Sequence, residues 1–157
     1  MERQPAETLT WNNGCLTLLD QTRLPGTVAF IDCSDWRTVA AAIKRLEVRG
    51  APAIGAAAAF GIVLGARELL AKGEDVGTGL EQVAAEMKQT RPTAVNLFWA
   101  VDRIMAVAAR CRADRPDAIV AALEQEAIAI AAEDRAVNRK IAVHGASLFT
   151  QQGMTVL

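Results

Sequence analysis

The feature that most constrains this chain is the uncharged run from Gly50 to Ala66, built from Ala, Gly and aliphatic residues around a single Phe and opened by Pro52. A helix that is apolar on every side has to be buried on every side. The run falls short of the roughly 20 residues a membrane span needs, so it reads as a core helix covering Pro52 to about Lys72. Ala51, Gly55 and Ala59, and then Gly61 and Gly65, recur every four positions, which is the pattern of close helix–helix approach. Composition agrees: 52% of the chain is hydrophobic but only 4% aromatic, with no Tyr, so its core rests on closely packed helices rather than large rings. The length suits one domain with a real core.

The rest of the chain falls into place around that helix. Thr8–Trp11 and Cys15–Leu19 are short apolar runs split by Asn12, Asn13 and Gly14, and Asn-Gly is a hairpin signal because both residues tolerate positive φ. A third strand is expected at Thr27–Asp32. From Ser34 the period becomes helical. Ser34 or Asp35 caps a helix over Trp36–Leu46, with Val39, Ala42, Ile43 and Leu46 inward. Further helices are expected over Leu80–Gln89, with Leu80, Val83, Ala84 and Met87 inward, and over Ala94–Arg110, with a stripe from Ala94 to Ala108. Pro116 opens a long helical stretch whose stripe runs through Ile119, Leu123, Ile128 and Ala131 and resumes at Val137, Ile141, Gly145 and Leu148, with a break or bend at Glu133–Arg135. Gly153 is placed to stop it. Met154–Leu157 reads as the start of another strand.

The fold class is therefore α+β, mainly α. A small antiparallel β unit occupies residues 1–33, a helical bundle residues 34–153, and residues 154–157 begin a further domain.

Charge and cysteine usage exclude several functions. The net charge of -1, from 17 basic and 18 acidic residues, makes no electrostatic case for nucleic acid or a membrane surface. Cys15, Cys33 and Cys111 are widely spaced, no Cys-x-x-Cys occurs and His144 is the sole His. No zinc site, other metal site or disulfide framework is expected, and the pattern suits a reducing cytoplasm. Residues 1–9 carry charge and no apolar core of a signal peptide.

Two segments carry candidate chemistry. In Val48-Arg49-Gly50-Ala51-Pro52-Ala53-Ile54-Gly55, Pro52 fits a first helical turn, and Gly50 lets backbone or ligand come close. The free N–H groups of that turn attract an anion, and Arg49 beside them can grip phosphate bidentately. In Thr90-Arg91-Pro92-Thr93-Ala94-Val95-Asn96, Arg91 precedes a Pro and so leaves helical geometry, and Thr93 is a good N-cap. Two such units facing each other would clamp a phosphate, although each alone is an ordinary helix start with a solvated Arg. His144 lacks a partner acid, and none of the three cysteines sits where a thiolate would be stabilised. Glu124, Glu126, Glu133 and Asp134 look like a solvated face.

At these segments the chain resembles the methylthioribose-1-phosphate isomerase family. The residues that carry the likeness are Leu18-Leu19-Asp20-Gln21-Thr22-Arg23-Leu24-Pro25, Val48–Gly55 with the Ala-rich run to Phe60-Gly61, and Arg91–Leu97, in the same order and spacing. Phe60 stands where the family often has Tyr, and Ala142 where it often has Gly. The wider superfamily includes ribose-1,5-bisphosphate isomerases and the regulatory subunits of the initiation-factor guanine-nucleotide exchange factor.

The resemblance implies a β unit, a helical domain and a Rossmann-like C-terminal domain that drives homodimerisation. It implies conversion of 5-methylthioribose 1-phosphate to 5-methylthioribulose 1-phosphate in methionine salvage, without metal or organic cofactor. It implies that Arg49, Gly50, Ala51 and Arg91 bind the sugar phosphate. The family's catalytic Cys lies in a Thr-His-Cys-Asn stretch after a strand like Met154–Leu157, and its catalytic Asp lies later still. No catalytic residue is thus expected within this chain, which reads as an inactive N-terminal part of the enzyme. The alternative is a non-catalytic sugar-phosphate or nucleotide-sensing subunit related to the exchange-factor subunits.

Overall fold

The apolar run lies at the centre of the molecule. The computed structural model describes residues 7–149. Its elements are β1 (Leu9–Asn12), β2 (Cys15–Leu19), β3 (Phe30–Cys33), α1 (Trp36–Lys44), α2 (Ala51–Lys72), α3 (Val76–Gln89), α4 (Val95–Arg110) and α5 (Pro116–Ala146). Every residue of α2 from Ile54 to Ala66 is buried, and α1, α3, α4 and α5 all pack against it. By length and composition α2 could cross a membrane, but most of its apolar surface is taken up by these neighbours. The architecture is α+β and mainly α, as expected.

Small residues set how close the neighbours come. A Cβ on Gly61 would stand 2.5 Å from Met87 Cε and 3.3 Å from Val39 Cγ1, and one on Gly65 would stand 2.8 Å from Val83 Cγ1. A methyl group at either position would have to push neighbouring side chains aside, the flexible end of Met87 at Gly61 and the stiff β-branched Val83 at Gly65. The four-residue spacing of small residues is therefore a packing device from Gly55 onward, whereas Ala51 is exposed and lies outside it.

The sheet is antiparallel in the order β1-β2-β3. Asn13 and Gly14 take φ of 47° and 89°, the doubly positive turn that matches strand twist in a two-residue hairpin. Leu16, Leu18 and Cys33 on its inner face belong to the same hydrophobic cluster as the helices. Trp11 stacks on Phe60 of α2 with ring centroids 4.8 Å apart. Its indole N–H donates to Glu124 of α5 at 2.8 Å, and Glu124 also accepts from Arg67 of α2 at 3.1 Å. One carboxylate thus ties the hairpin to two helices.

Several boundaries differ from the sequence reading. The third strand is Phe30–Cys33 rather than Thr27–Asp32, because the Thr27 N–H is used in a turn to Arg23 O at 2.9 Å. Helix α1 stops at Lys44, and Leu46 is 40% exposed rather than inward. Leu46 takes φ 63°, and the bonds Leu46 N–H to Ile43 O and Glu47 N–H to Ala42 O close a Schellman end. Helix α3 begins a turn early at Val76, with Asp75 accepting from the Thr78 N–H at 2.7 Å. Gly77 and Gly79 obscure that turn in the sequence, yet Gly79 is where Leu69 packs, with Leu69 Cδ2 2.5 Å from any added Cβ.

Helix α5 runs unbroken through Glu133–Arg135, a stretch with no Gly or Pro to interrupt it. Ile128 is exposed, and in the expected second stripe Val137, Ile141 and Leu148 are 54%, 63% and 73% exposed. The helix ends at Ala146 with Ser147 as its C-cap. The expected stop at Gly153 and the strand at Met154–Leu157 lie outside the described residues.

Candidate functional site

Arg49, Gly50 and Ala51 form the start of α2. Gly50 is the N-cap with φ 91° and ψ 123°, a conformation that L side chains rarely adopt. A Cβ at Gly50 would meet only Ala53 Cβ, at 4.0 Å, so the glycine is required by backbone shape and not by crowding. No side chain caps the helix. The first turn is closed by the Ile54 N–H to Gly50 O bond of 2.9 Å, and Pro52 within that turn has no N–H to satisfy. The Ala51 and Ala53 N–H groups are left free of side-chain caps, at the positive end of a 22-residue helix.

The loop before them is pinned from several sides. Val48 is fully buried. Arg45 pairs with Glu47 through both carboxylate oxygens, at 2.8 and 3.0 Å. The exposed Arg49 folds back, its Nε donating to Leu46 O at 3.1 Å. Among the described residues its two terminal nitrogens have no hydrogen-bond partner.

Arg91 is half-buried just before α4. Thr93 does not cap this helix. The N-cap is Ala94, with no side-chain bond to the first turn, because the Ala94 N–H turns back to Arg91 O at 3.0 Å. Arg91–Ala94 is thus a β-turn with Pro92 at its second position, which suits the fixed φ of proline. The first turn of α4 is therefore as uncapped as that of α2.

The starts of α2 and α4 are neighbours. An added Cβ on Gly55, in the second turn of α2, would lie 2.8 Å from Asn96 O and 3.4 Å from Ala100 Cβ. The α2 backbone therefore lies directly on the first turn of α4. Two uncapped helix starts thus lie side by side, each preceded by an Arg, and the free N–H groups of a helix start attract anions in general. This pairing of helix starts offers no side chain suited to general acid–base work. Beside it a cleft of about 310 Å³ opens between β1, α2 and α5, lined by Leu9, Ala53, Ala56, Ala131, Arg135 and Asn138 among others.

The other candidates take structural places. Cys33 is buried and its thiol is pushed up to about 12, first by burial and then by Cys15, which makes it a poor nucleophile. Cys15 and Cys111 are half-buried free thiols. His144 is exposed on α5. Among the described residues no three His, Cys, Asp or Glu side chains gather as metal ligands. Glu126 and Glu133 are not merely solvated, since both pair with Arg103 of α4, whose guanidinium sits 5.3 Å from the Trp99 ring centroid.

One residue that the sequence reading does not single out stands next to the site. Gln21, in the loop after β2, donates from its backbone N–H to Glu47 O at 2.9 Å and from Nε2 to Arg49 O at 3.2 Å. Its signal in the sequence is its place within Leu18–Pro25, one of the segments that carry the resemblance.

Residues 47–157 match the model of the initiation factor 2 subunit family. Methylthioribose-1-phosphate isomerase of Fervidobacterium nodosum is 47% identical over 153 residues, which is 96% of this chain and 43% of the relative. The chain thus spans less than half the length of such relatives. The crystal structure of 5-methylthioribose 1-phosphate isomerase from Pyrococcus horikoshii matches with a TM-score of 0.72 and 40% identity, over 80% of this chain and 36% of that one. Subunit delta of the translation initiation factor eIF-2B from A. fulgidus matches with a TM-score of 0.81 and 37% identity, over 92% of this chain and 42% of that one. With the family match covering α2 to α5, this chain belongs to the initiation factor 2 subunit family.

Proposed function

We propose that this chain is the substrate-gripping N-terminal part of an aldose–ketose isomerase that converts 5-methylthioribose 1-phosphate to 5-methylthioribulose 1-phosphate in methionine salvage. The observation that carries the reading is the seating of Gly55 on Asn96, which brings together the N-terminal turns of α2 and α4, the two helices that Arg49–Ala51 and Arg91 precede or open. In this reading Arg49, the Gly50 and Ala51 N–H groups and Arg91 bind the phosphate. The 47% identity to an isomerase supports the choice of substrate.

The division of labour follows from the chemistry. A phosphate on the anomeric oxygen blocks the ring opening available to a free sugar, so an acid must open the ring before a proton or hydride moves between two carbons. A phosphate grip holds the sugar for that step but does not perform it. This sequence contains no Thr-His-Cys-Asn stretch. We therefore assign the catalytic Cys and Asp to a Rossmann-like domain beyond this chain, in a cytoplasmic homodimer that uses no metal or organic cofactor.

The 0.81 TM-score match to the eIF-2B delta subunit favours a second reading, a sensor of sugar phosphates or nucleotides without turnover. Assay of the longer protein on 5-methylthioribose 1-phosphate separates the two. Isomerisation supports the first, whereas tight binding without product supports the second.

A further inference from the structure

We infer that Gln21 is a positioning residue for the anion grip, acting through the peptide that joins Arg49 to Gly50. This rests on the phosphate-binding reading above and adds to it the residue that aims the loop. The Arg49 carbonyl and the Gly50 N–H belong to one planar peptide and point in opposite directions. Gln21 Nε2 holds that carbonyl at 3.2 Å, so the amide directs the Gly50 N–H away from the β2–β3 loop. The Gln21 backbone N–H holds Glu47 O at 2.9 Å. The two bonds bracket buried Val48, and the Glu47–Arg49 stretch is pinned on alternate carbonyls as along a strand edge.

Gln21 is itself held in place. Asp20 is only 8% exposed, and its carboxylate accepts from the Thr22 N–H at 3.0 Å and the Thr22 hydroxyl at 2.6 Å. The Asp20 N–H donates to Ala29 O at 2.9 Å. The residues flanking Gln21 are therefore fixed, and its side chain reaches across to a loop whose own Gly50 has a wide conformational range. Without the amide, Gly50 would be free to turn the peptide over.

The test uses this chain and inorganic phosphate, followed by NMR at the Gly50, Ala51 and Ala53 amides, with hydrogen exchange at Ile54, whose N–H bonds to Gly50 O. Gln21→Met keeps the length of the side chain and the backbone bond to Glu47 but has no donor. Arg49→Ala serves as the control for the grip. We expect weak binding by the wild type, about fivefold weaker binding by Gln21→Met from loss of one hydrogen bond's worth of order, and faster exchange at Ile54, with the thermal midpoint little changed. Binding lost in Arg49→Ala but kept in Gln21→Met, with Ile54 exchange as in the wild type, overturns the positioning role and leaves the grip intact. No phosphate-dependent shift at these amides in the wild type overturns the grip and the inference with it.

Discussion

Gly55 and Asn96 meet backbone to backbone, with so little space that a methyl group on Gly55 would stand 2.8 Å from the Asn96 carbonyl oxygen. This contact fixes the distance between the starts of α2 and α4, and with it the geometry of the proposed site. Gly55→Ala should cost about 1–3 kcal/mol, the range for overpacking a tight core, and should weaken phosphate binding by moving one helix start off the other. Urea unfolding and a phosphate titration of the same variant check both effects.

Glu124 should behave as a tie between layers. It accepts from Trp11 at 2.8 Å and from Arg67 at 3.1 Å. Glu124→Ala removes both bonds and leaves the indole N–H without its partner, at a cost of about 1–3 kcal/mol. Glu124→Gln keeps a carbonyl oxygen for Trp11 and should cost about half as much. Denaturant midpoints of the two variants decide the order.

Asp35 supplies a pH-dependent contribution. Its carboxylate accepts from the Arg37 and Thr38 N–H groups at 2.9 and 3.0 Å. The Thr38 hydroxyl bond, and then these N–H bonds against the opposing effect of burial, hold its pKa below the ordinary value. A depressed folded-state pKa means the stabilisation is present above the unfolded value of about 3.9 and is lost as pH falls through the folded value. Asp35→Ala should therefore cost about 1 kcal/mol at neutral pH, as for loss of an N-cap. The gap to wild type should shrink toward about pH 3, below that unfolded value, and urea titrations at the two pH values measure it.

Gly50→Ala tests the backbone requirement separately from the packing one. The site has room for a methyl group, with only Ala53 Cβ at 4.0 Å, but φ is 91°. The strain of about 1–3 kcal/mol should appear as lower stability together with a displaced Arg49–Ala51 loop. Calorimetric midpoints and the Ala51 amide shift report the two parts.

Much of this architecture is legible in the sequence because its signals are local. The Asn13-Gly14 turn, the Asp35 cap and the apolar run of α2 each declare themselves within a few residues. The remainder is set by tertiary contacts. Val76–Gly79 is helical because Asp75 caps it and Leu69 packs over Gly79, although two glycines argue against a helix there. Thr93 has the chemistry of an N-cap, but the Arg91–Ala94 turn gives that place to Ala94. The second stripe of α5 has helical period without a described partner to cover it, because periodicity reports a face and not what meets it. At the site, Arg49, Gly50, Ala51 and Arg91 are visible as the chemistry of helix starts. Gln21 shows only as a member of the Leu18–Pro25 segment that carries the resemblance, since its partner Arg49 is 28 residues away in sequence.

If Arg49 and Arg91 grip the phosphate of a sugar phosphate during isomerisation, turnover must depend on both. The most direct measurement is kcat/KM for 5-methylthioribose 1-phosphate in the longer protein carrying this chain, compared with its Arg49→Ala and Arg91→Ala variants. Loss of a charge-assisted contact worth about 1.5–3 kcal/mol predicts a fall of about ten- to a hundredfold for each variant. Turnover unchanged by both substitutions would contradict the account.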